Sequence, residues 1–190
     1  MIRSYTYEKY VEMVREFHGY AAPGVIIGGF MVDLACRSLS EEGLFDALCE
    51  TPKCLPDAVQ LLTPCTIGNG WLTIVNMGRF ALTLYDKRTG VGVRVFVDPT
   101  RLETWPEIKA WFLKLTAKGE QDEKRLQEEI REAEDAIMSV TRVKVAKRIL
   151  EKPRRGGFTI CPRCGEAYPA ADGPVCLGCA DNNSLFARMD

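Results

Sequence analysis

Histidine is nearly absent: His18 is the single one in 190 residues. No Ser-His-Asp set is apparent, and with one histidine that mechanism has little support. An excess of either charge is also missing. Twenty-five Lys and Arg face 26 Asp and Glu, a net charge of −1, so no overall basic field points to nucleic acid or to a membrane surface. Long apolar runs are missing too. The longest, Pro23 to Cys36, is interrupted by Asp33 and is too short to span a bilayer. The first residues, MIRSYTYEKY, have no apolar signal core, so a cytoplasmic location is expected. Glycine (16) and proline (10) are near average usage, which excludes collagen-like and low-complexity chains, and 46% apolar residues exclude a disordered one. No internal repeat is present. The length allows one domain with a sizeable core, or a medium domain plus a small module.

Cysteine, in contrast, is plentiful, with eight residues. In the expected reducing compartment these are core thiols, metal ligands or reactive groups. Four of them stand out by spacing. Cys161-Pro-Arg-Cys164-Gly is followed by Cys176-Leu-Gly-Cys179, a C-x2-C-x11-C-x2-C pattern. Each C-x2-C turn directs two thiolates and several backbone N–H groups toward one ion, and two turns complete a tetrahedral all-sulfur site suited to structural Zn²⁺. Gly165 follows the first pair where the knuckle needs a residue tolerant of positive φ. Residues 157–190 are too few to bury a core unaided, so the metal supplies most of their folding energy. With all four positions filled by protein, the site is not catalytic. A short terminal helix beginning near Cys179 would make the module treble-clef-like; a zinc ribbon is the alternative. Arg154, Arg155, Arg163 and Arg188 form at most a modest patch, without the interleaved aromatics that nucleic-acid binding favours.

Periodicity divides the rest. Residues 1–20 and 25–39 read as helices, and Leu44 to Glu50 as a buried strand. Pro56 starts a short helix through Leu62. After a loop at 63–70, strands are expected at 71–76, 80–86 and 91–97, the last two joined by Lys87-Arg88-Thr89-Gly90. From Thr104 to about Pro153 the chain reads as helical. Leu126, Ile130, Ala133, Ile137 and Val140 are spaced 4, 3, 4, 3, an a/d seam. This segment is expected either as a core helix with one solvated face or as an arm that pairs with a second copy of the chain. Thr66-Ile-Gly68-Asn-Gly70 is either an anion-binding nest or a turn before a strand. Asp57 and Gln60 face one cleft, or Asp57 caps its helix.

The remaining cysteines are Cys36, Cys49, Cys54 and Cys65. Cys36 and Cys49 fall in apolar elements and read as core thiols. Cys54 and Cys65 lie in short loops at helix boundaries. Cys54 precedes the Pro56 helix, whose N–H groups would lower its pKa. At these residues the chain resembles the FmdE family, named for the E component of formylmethanofuran dehydrogenase. The matching segments are Phe17-His18-Gly19-Tyr20-Ala21-Ala22-Pro23-Gly24, then Cys54-Leu-Pro-Asp57-Ala58-Val-Gln60 leading into Cys65-Thr66-Ile-Gly68-Asn-Gly70, then Met77-Gly78-Arg79-Phe80-Ala81. The resemblance covers roughly residues 10–100, and the terminal finger matches the longer members. The family's first motif usually reads His-Gly-His-x-Cys-Pro-Gly. Here Tyr20 replaces the second His and Ala22 the Cys, and Asn69 stands where Lys is usual. The resemblance implies a second metal site, for which His18, Cys54 and Cys65 are left as candidates. As catalytic candidates, Cys65 is ligand or nucleophile, Cys54 ligand or second thiol, and His18 ligand or proton carrier.

The expected architecture is α+β: a core domain at 1–100 with helices on an antiparallel or mixed sheet, a helical arm for dimerisation at 101–153, and a four-cysteine zinc-binding module at 154–190. The expected partner is a second copy in a homodimer and, by resemblance, a molybdenum or tungsten dehydrogenase complex of one-carbon metabolism. The function implied is a metal-binding protein of the FmdE type with a cleft at His18, Cys54 and Cys65. The alternative is a non-enzymatic dimeric adaptor whose zinc finger binds protein or nucleic acid.

Overall fold

Thr6 starts the first helix, α1 (Tyr7–His18), by accepting a hydrogen bond from Lys9 N–H, and Gly19 at φ 92° ends it. A computed structural model of the chain describes residues 1–39, 44–151 and 156–180, divided between two units, Met1–Leu150 and Glu151–Asp190.

In the first unit the central element is α2 (Pro23–Ser38), buried on nearly every side. It begins at Pro23, whose fixed φ suits a first turn. Its glycines at 24, 28 and 29 make room for neighbours. A Cβ on Gly28 would lie 2.7 Å from Ala58 Cβ, and one on Gly29 would lie 2.3 Å from the Tyr10 ring. Helix α1 therefore packs close on one side of α2, and α3 (Leu55–Leu62) on another.

Below α2 lies a five-stranded sheet of order β2-β1-β3-β4-β5. Its strands are β1 (Phe45–Cys49), β2 (Leu72–Ile74), β3 (Ala81–Asp86), β4 (Val91–Val97) and β5 (Met138–Lys144). β1 pairs parallel with β2; the other pairings are antiparallel, so the sheet is mixed. Register aligns Ala47, Leu84 and Val93, and next to them Cys49, Leu82 and Val95. These six side chains are buried in one cluster with Val25, Ile26 and Met31 of α2. Burying each large aliphatic side chain contributes about 1.5–3 kcal/mol relative to leaving it exposed.

At the end of β1, Glu50 is buried but bound on both sides. Arg94 donates to it at 2.6 and 2.9 Å and Arg79 lies at 2.7 Å. The Arg94 hydrogen bonds hold its carboxyl below the ordinary value despite burial. A depressed folded-state pKa gives stability that is complete above the unfolded pKa of about 4.3 and is lost as pH falls through the folded value. Urea midpoints should therefore decline below about pH 4, and Glu50→Gln should reduce that slope.

The expected helical arm is not formed. Residues 101–150 belong to the first unit. They fold as α4 (Pro106–Phe112), α5 (Glu123–Ala133), the strand β5 and a last turn, α6 (Lys147–Leu150). Leu126, Ile130 and Ala133, the start of the supposed seam, are buried in the unit's own core. The helix then stops: Glu134 takes φ 46°, and Val140, Thr141 and Val143 enter a strand against β4. β-Branched side chains suit a pleated surface better than a helix. Ile137, Val140 and Val143 keep a helical spacing past the end of the helix and so mimic its continuation.

The second unit carries the hairpin β6 (Phe158–Ile160) and β7 (Ala167–Pro169). Gly165 turns at φ 77° and its N–H reaches Cys161 O at 2.9 Å. Arg154, Arg155, Arg188 and the expected terminal helix lie outside the described residues.

Candidate functional site

The hairpin and the turn at Cys176 bring the four cysteines of the second unit to one point. Cys161, Cys164, Cys176 and Cys179 offer sulfurs that all lie within 4.8 Å of one another, and Cys164 Sγ is 3.7 Å from Cys176 Sγ. Zn–S bonds of about 2.3 Å require tetrahedral sulfurs about 3.8 Å apart. Backbone N–H groups of Cys176, Cys164 and Arg163 hold the Cys161 thiol down to about 6, while Cys179, hydrogen-bonded among the other sulfurs, is pushed up to about 12. Four sulfurs this close can all ionise only around a cation, and the donor set suits Zn²⁺. Arg163 donates to Cys179 O at 2.7 Å, which fixes the second knuckle to the first.

In the first unit, a cavity of about 530 Å³ opens beside the start of α2. Its walls come from three separate stretches: Tyr20 to Gly24, Lys53 and Cys54, and Trp111 to Gln127. From the last stretch Trp111, Lys114, Thr116, Gln121, Glu123, Leu126 and Gln127 contribute. Tyr20 and Ala22, the two departures from the family motif, both line it. Glu129 on α5 fixes the third wall: its carboxylate accepts from Glu107 N–H at 2.9 Å and Ile108 N–H at 3.0 Å. It thereby caps α4, the helix that carries Trp111.

Cys54 sits at the N-cap of α3 with φ 58° and ψ −53°, and Leu55 N–H bonds back to Lys53 O at 2.6 Å. This is a γ-turn of the rare positive-φ kind, which costs about 1–3 kcal/mol. The turn is tolerated because Gly24 opposite has no side chain; a Cβ there would be 2.9 Å from Cys54 Cβ and 3.0 Å from its sulfur. Burial, aided by Asp57, raises the thiol pKa. The sequence-based expectation of a lowered value is corrected: desolvation of the half-buried sulfur outweighs Lys114 and Lys53.

His18 and Asp57 meet across α1 and α3, with Nδ1 2.6 Å from Oδ2. Asp57 thus orients the imidazole rather than capping its own helix, and the Tyr20 ring lies 5.2 Å from that of His18. Gln60 does not join them; its side chain accepts from Ile67 N–H at 3.3 Å.

The three candidates for a second metal do not converge. Among the described residues, the cysteine quartet is the group of three or more ligand side chains that shares a point. Cys65 is buried, its thiol 3.6 Å from Phe45 O, and it does not line the cavity. The chain between α3 and β2 carries it toward the sheet, away from His18. Cys36 and Cys49 have thiol pKa values raised by burial, as core thiols should. Thr66 to Gly70 is a turn and not an anion nest. The N–H groups of Thr66 and Trp71 are taken by Asn69 Oδ1, that of Asn69 by Thr66 Oγ1 and that of Gly70 by Ile67 O.

Sequence reading missed Trp111, Lys114, Gln121 and Gln127. The available signal was Trp105-Pro106 followed by Gly119, which marks a short helix and a loop rather than an arm. No helix among the described residues is long and apolar enough to cross a membrane.

Comparison with known proteins agrees with this division. The profile of the family described as FmdE, Molybdenum formylmethanofuran dehydrogenase operon, matches residues 17–147. That of the FmdE treble clef zinc finger matches residues 152–185. A crystal structure of a tungsten formylmethanofuran dehydrogenase FmdE-like protein from Syntrophus aciditrophicus is 56% identical, with a TM-score of 0.90 over 98% of each chain. A curated protein of Archaeoglobus fulgidus, named a probable S-adenosyl-L-methionine-binding protein, is 31% identical over 192 residues, 87% of this chain. The chain spans about half, 51%, of that relative's length.

Proposed function

The chain belongs to the FmdE family, and from that premise we propose that its first unit is a small-molecule-binding domain acting at the cavity beside Cys54, within molybdenum- or tungsten-dependent one-carbon metabolism. The observation that carries this reading is a thiol held on a strained turn in the wall of a cavity of ligand size. Cys54 is the thiol presented to the ligand. His18, oriented by Asp57, does not line the cavity; it stands behind Tyr20, whose ring lies 5.2 Å from its own, and acts as a positioning residue for that wall. The small-molecule ligand in the Archaeoglobus relative's name supports a binding role for this domain. The second unit contributes a structural Zn²⁺ and no chemistry.

Alkylation of the native chain with iodoacetamide, read by peptide mapping, tests the site. Cys54 should react, slowly at pH 7 and faster as pH rises above its ordinary thiol range, because burial raises its pKa. Cys49 and Cys65, buried at 0% exposure, should resist until the chain unfolds. Protection of Cys54 equal to theirs would defeat the proposal.

A second reading is a dimeric adaptor. It is favoured by the apolar side chains of the zinc module: Phe158, Ile160 and Leu177 are 65–67% exposed, as a partner-binding surface requires. In this reading a homodimer through residues 101–153 uses the open edge of β5 rather than a helical seam, with Val140, Thr141 and Arg142 exposed on that strand.

A further inference from the structure

The cavity combines cations, aromatic rings and strain in a way its role as a container does not require. Lys53 and Lys114 both line it, and among the described residues neither ends in an ion pair with a carboxylate. Lys114 Nζ lies instead 5.0 Å from the centre of the Trp111 ring. Lys114 is held at φ 57° and Cys54 at φ 58°. Two of the four non-glycine residues with positive φ among those described therefore stand at this one cavity, the pattern expected where backbone strain positions a side chain. Helix α2 opens beside them with no side chain capping its first turn, which adds the positive end of a helix dipole. Trp111 and Tyr20 supply aromatic surface, and Gln121 and Gln127 supply hydrogen-bonding amides.

We propose that the cavity takes a small anion built on a planar ring, a carboxylate or phosphate ester. Its anionic group is held by the ammonium groups of Lys53 and Lys114, and its ring packs on Trp111. This rests on the reading of the cavity as a binding site and adds the chemical class of the ligand. Lysine suits the task as a mobile point charge. With no carboxylate partner to displace, each ammonium is available to a ligand without loss of an internal ion pair. Glu123 also lines the cavity, so the two lysines leave the lining with one net positive charge.

The test is protection of Cys54 in the full-length chain. Iodoacetamide alkylation is followed by peptide mapping in the presence of 2-naphthoate or of the uncharged, isosteric 2-naphthamide. Naphthoate should slow alkylation about fivefold more than naphthamide at equal concentration, the gain expected of two exposed charge pairs. Lys53→Met with Lys114→Met should remove that difference, and Trp111→Leu should weaken protection by both compounds. Circular dichroism confirms that the exposed lysine variants are folded. Equal protection by the two compounds, protection by neither, or a naphthoate advantage that survives the lysine changes overturns the ligand class while leaving Cys54 reachable. Failure of iodoacetamide to reach Cys54 in the absence of either compound defeats the binding-site reading and this inference with it.

Discussion

Cys176→Ser is expected to release the metal of the second unit and unfold it. Among the described residues of that unit, Cys161 and Tyr168 are the apolar side chains that are buried, and its two strands have three residues each. Neither feature offsets the conformational entropy of some 25 ordered residues at about 1–2 kcal/mol each. A structural Zn²⁺ contributes about 10–16 kcal/mol in comparable small domains. Cys176 faces Cys164 at 3.7 Å, and its loss leaves three thiolates, two of them on the first knuckle, with nothing to draw Cys179 to them. Metal content should fall well below one per chain. Amide exchange across Phe158–Ile160 and Ala167–Pro169 should become fast, and a chelator should do the same to the unaltered chain. Cys54→Ser and Cys65→Ala should leave the metal count unchanged, because neither residue belongs to the quartet. A protected hairpin in Cys176→Ser would mean that packing, not metal, holds the unit. A second metal lost on Cys65→Ala would contradict the separation of His18, Cys54 and Cys65.

The quartet was readable because its information is local. Two C-x2-C turns state their geometry within four residues each, and the metal does the rest. The helices and strands up to Val97 were readable for a related reason: burial on one face leaves a period of 3.6 or 2, and Gly and Pro punctuate it. The cavity was not readable in this way. Its wall joins Tyr20, Cys54 and Trp111 across some 90 residues of sequence, and no local pattern records that approach. Tyr20, Ala22 and Cys54 of the motif segments all line it, but they did not say what faces them. Cys65 was grouped with Cys54 because both lie at ends of α3. A helix of eight residues separates its two ends by about 12 Å, which is too far for one metal ion. The arm failed for a different reason. Ile137 and Val140 kept the spacing of a seam after the helix had ended, so helical periodicity outlived the helix. The β-branched run from Val140 to Val145 was the better signal.

Gly29→Ala should damage the first unit, and its effect should reach His18. Ala is the better helix former by about 0.5–1 kcal/mol, so propensity alone predicts stabilisation. Packing predicts the reverse. The new Cβ would lie 2.3 Å from Tyr10 Cε1, 2.6 Å from Cζ and 2.9 Å from the hydroxyl oxygen. Tyr10 is wholly buried, and its hydroxyl donates to Val25 O, one turn earlier on α2, at 2.9 Å. The ring has no space to retreat into without moving α1. Overpacking of this kind costs about 1–3 kcal/mol, and losing the hydroxyl bond adds about 1 kcal/mol. The net expectation is destabilisation by about 2–3 kcal/mol, read as a lowered urea midpoint with unchanged m. Helix α1 ends at His18, so displacing it draws the imidazole from Asp57, 2.6 Å away. The ring signals of His18 followed by NMR should then move in Gly29→Ala. Tyr10→Phe should cost about 1 kcal/mol and leave those signals in place. In a Tyr10→Leu background, where the ring is gone, Gly29→Ala should become neutral or stabilising, a sign change that a double-mutant cycle measures directly. A Gly29→Ala chain as stable as the parent in the native background would show that the Tyr10 ring does not rest on α2, and the route from core packing to His18 would fall with it.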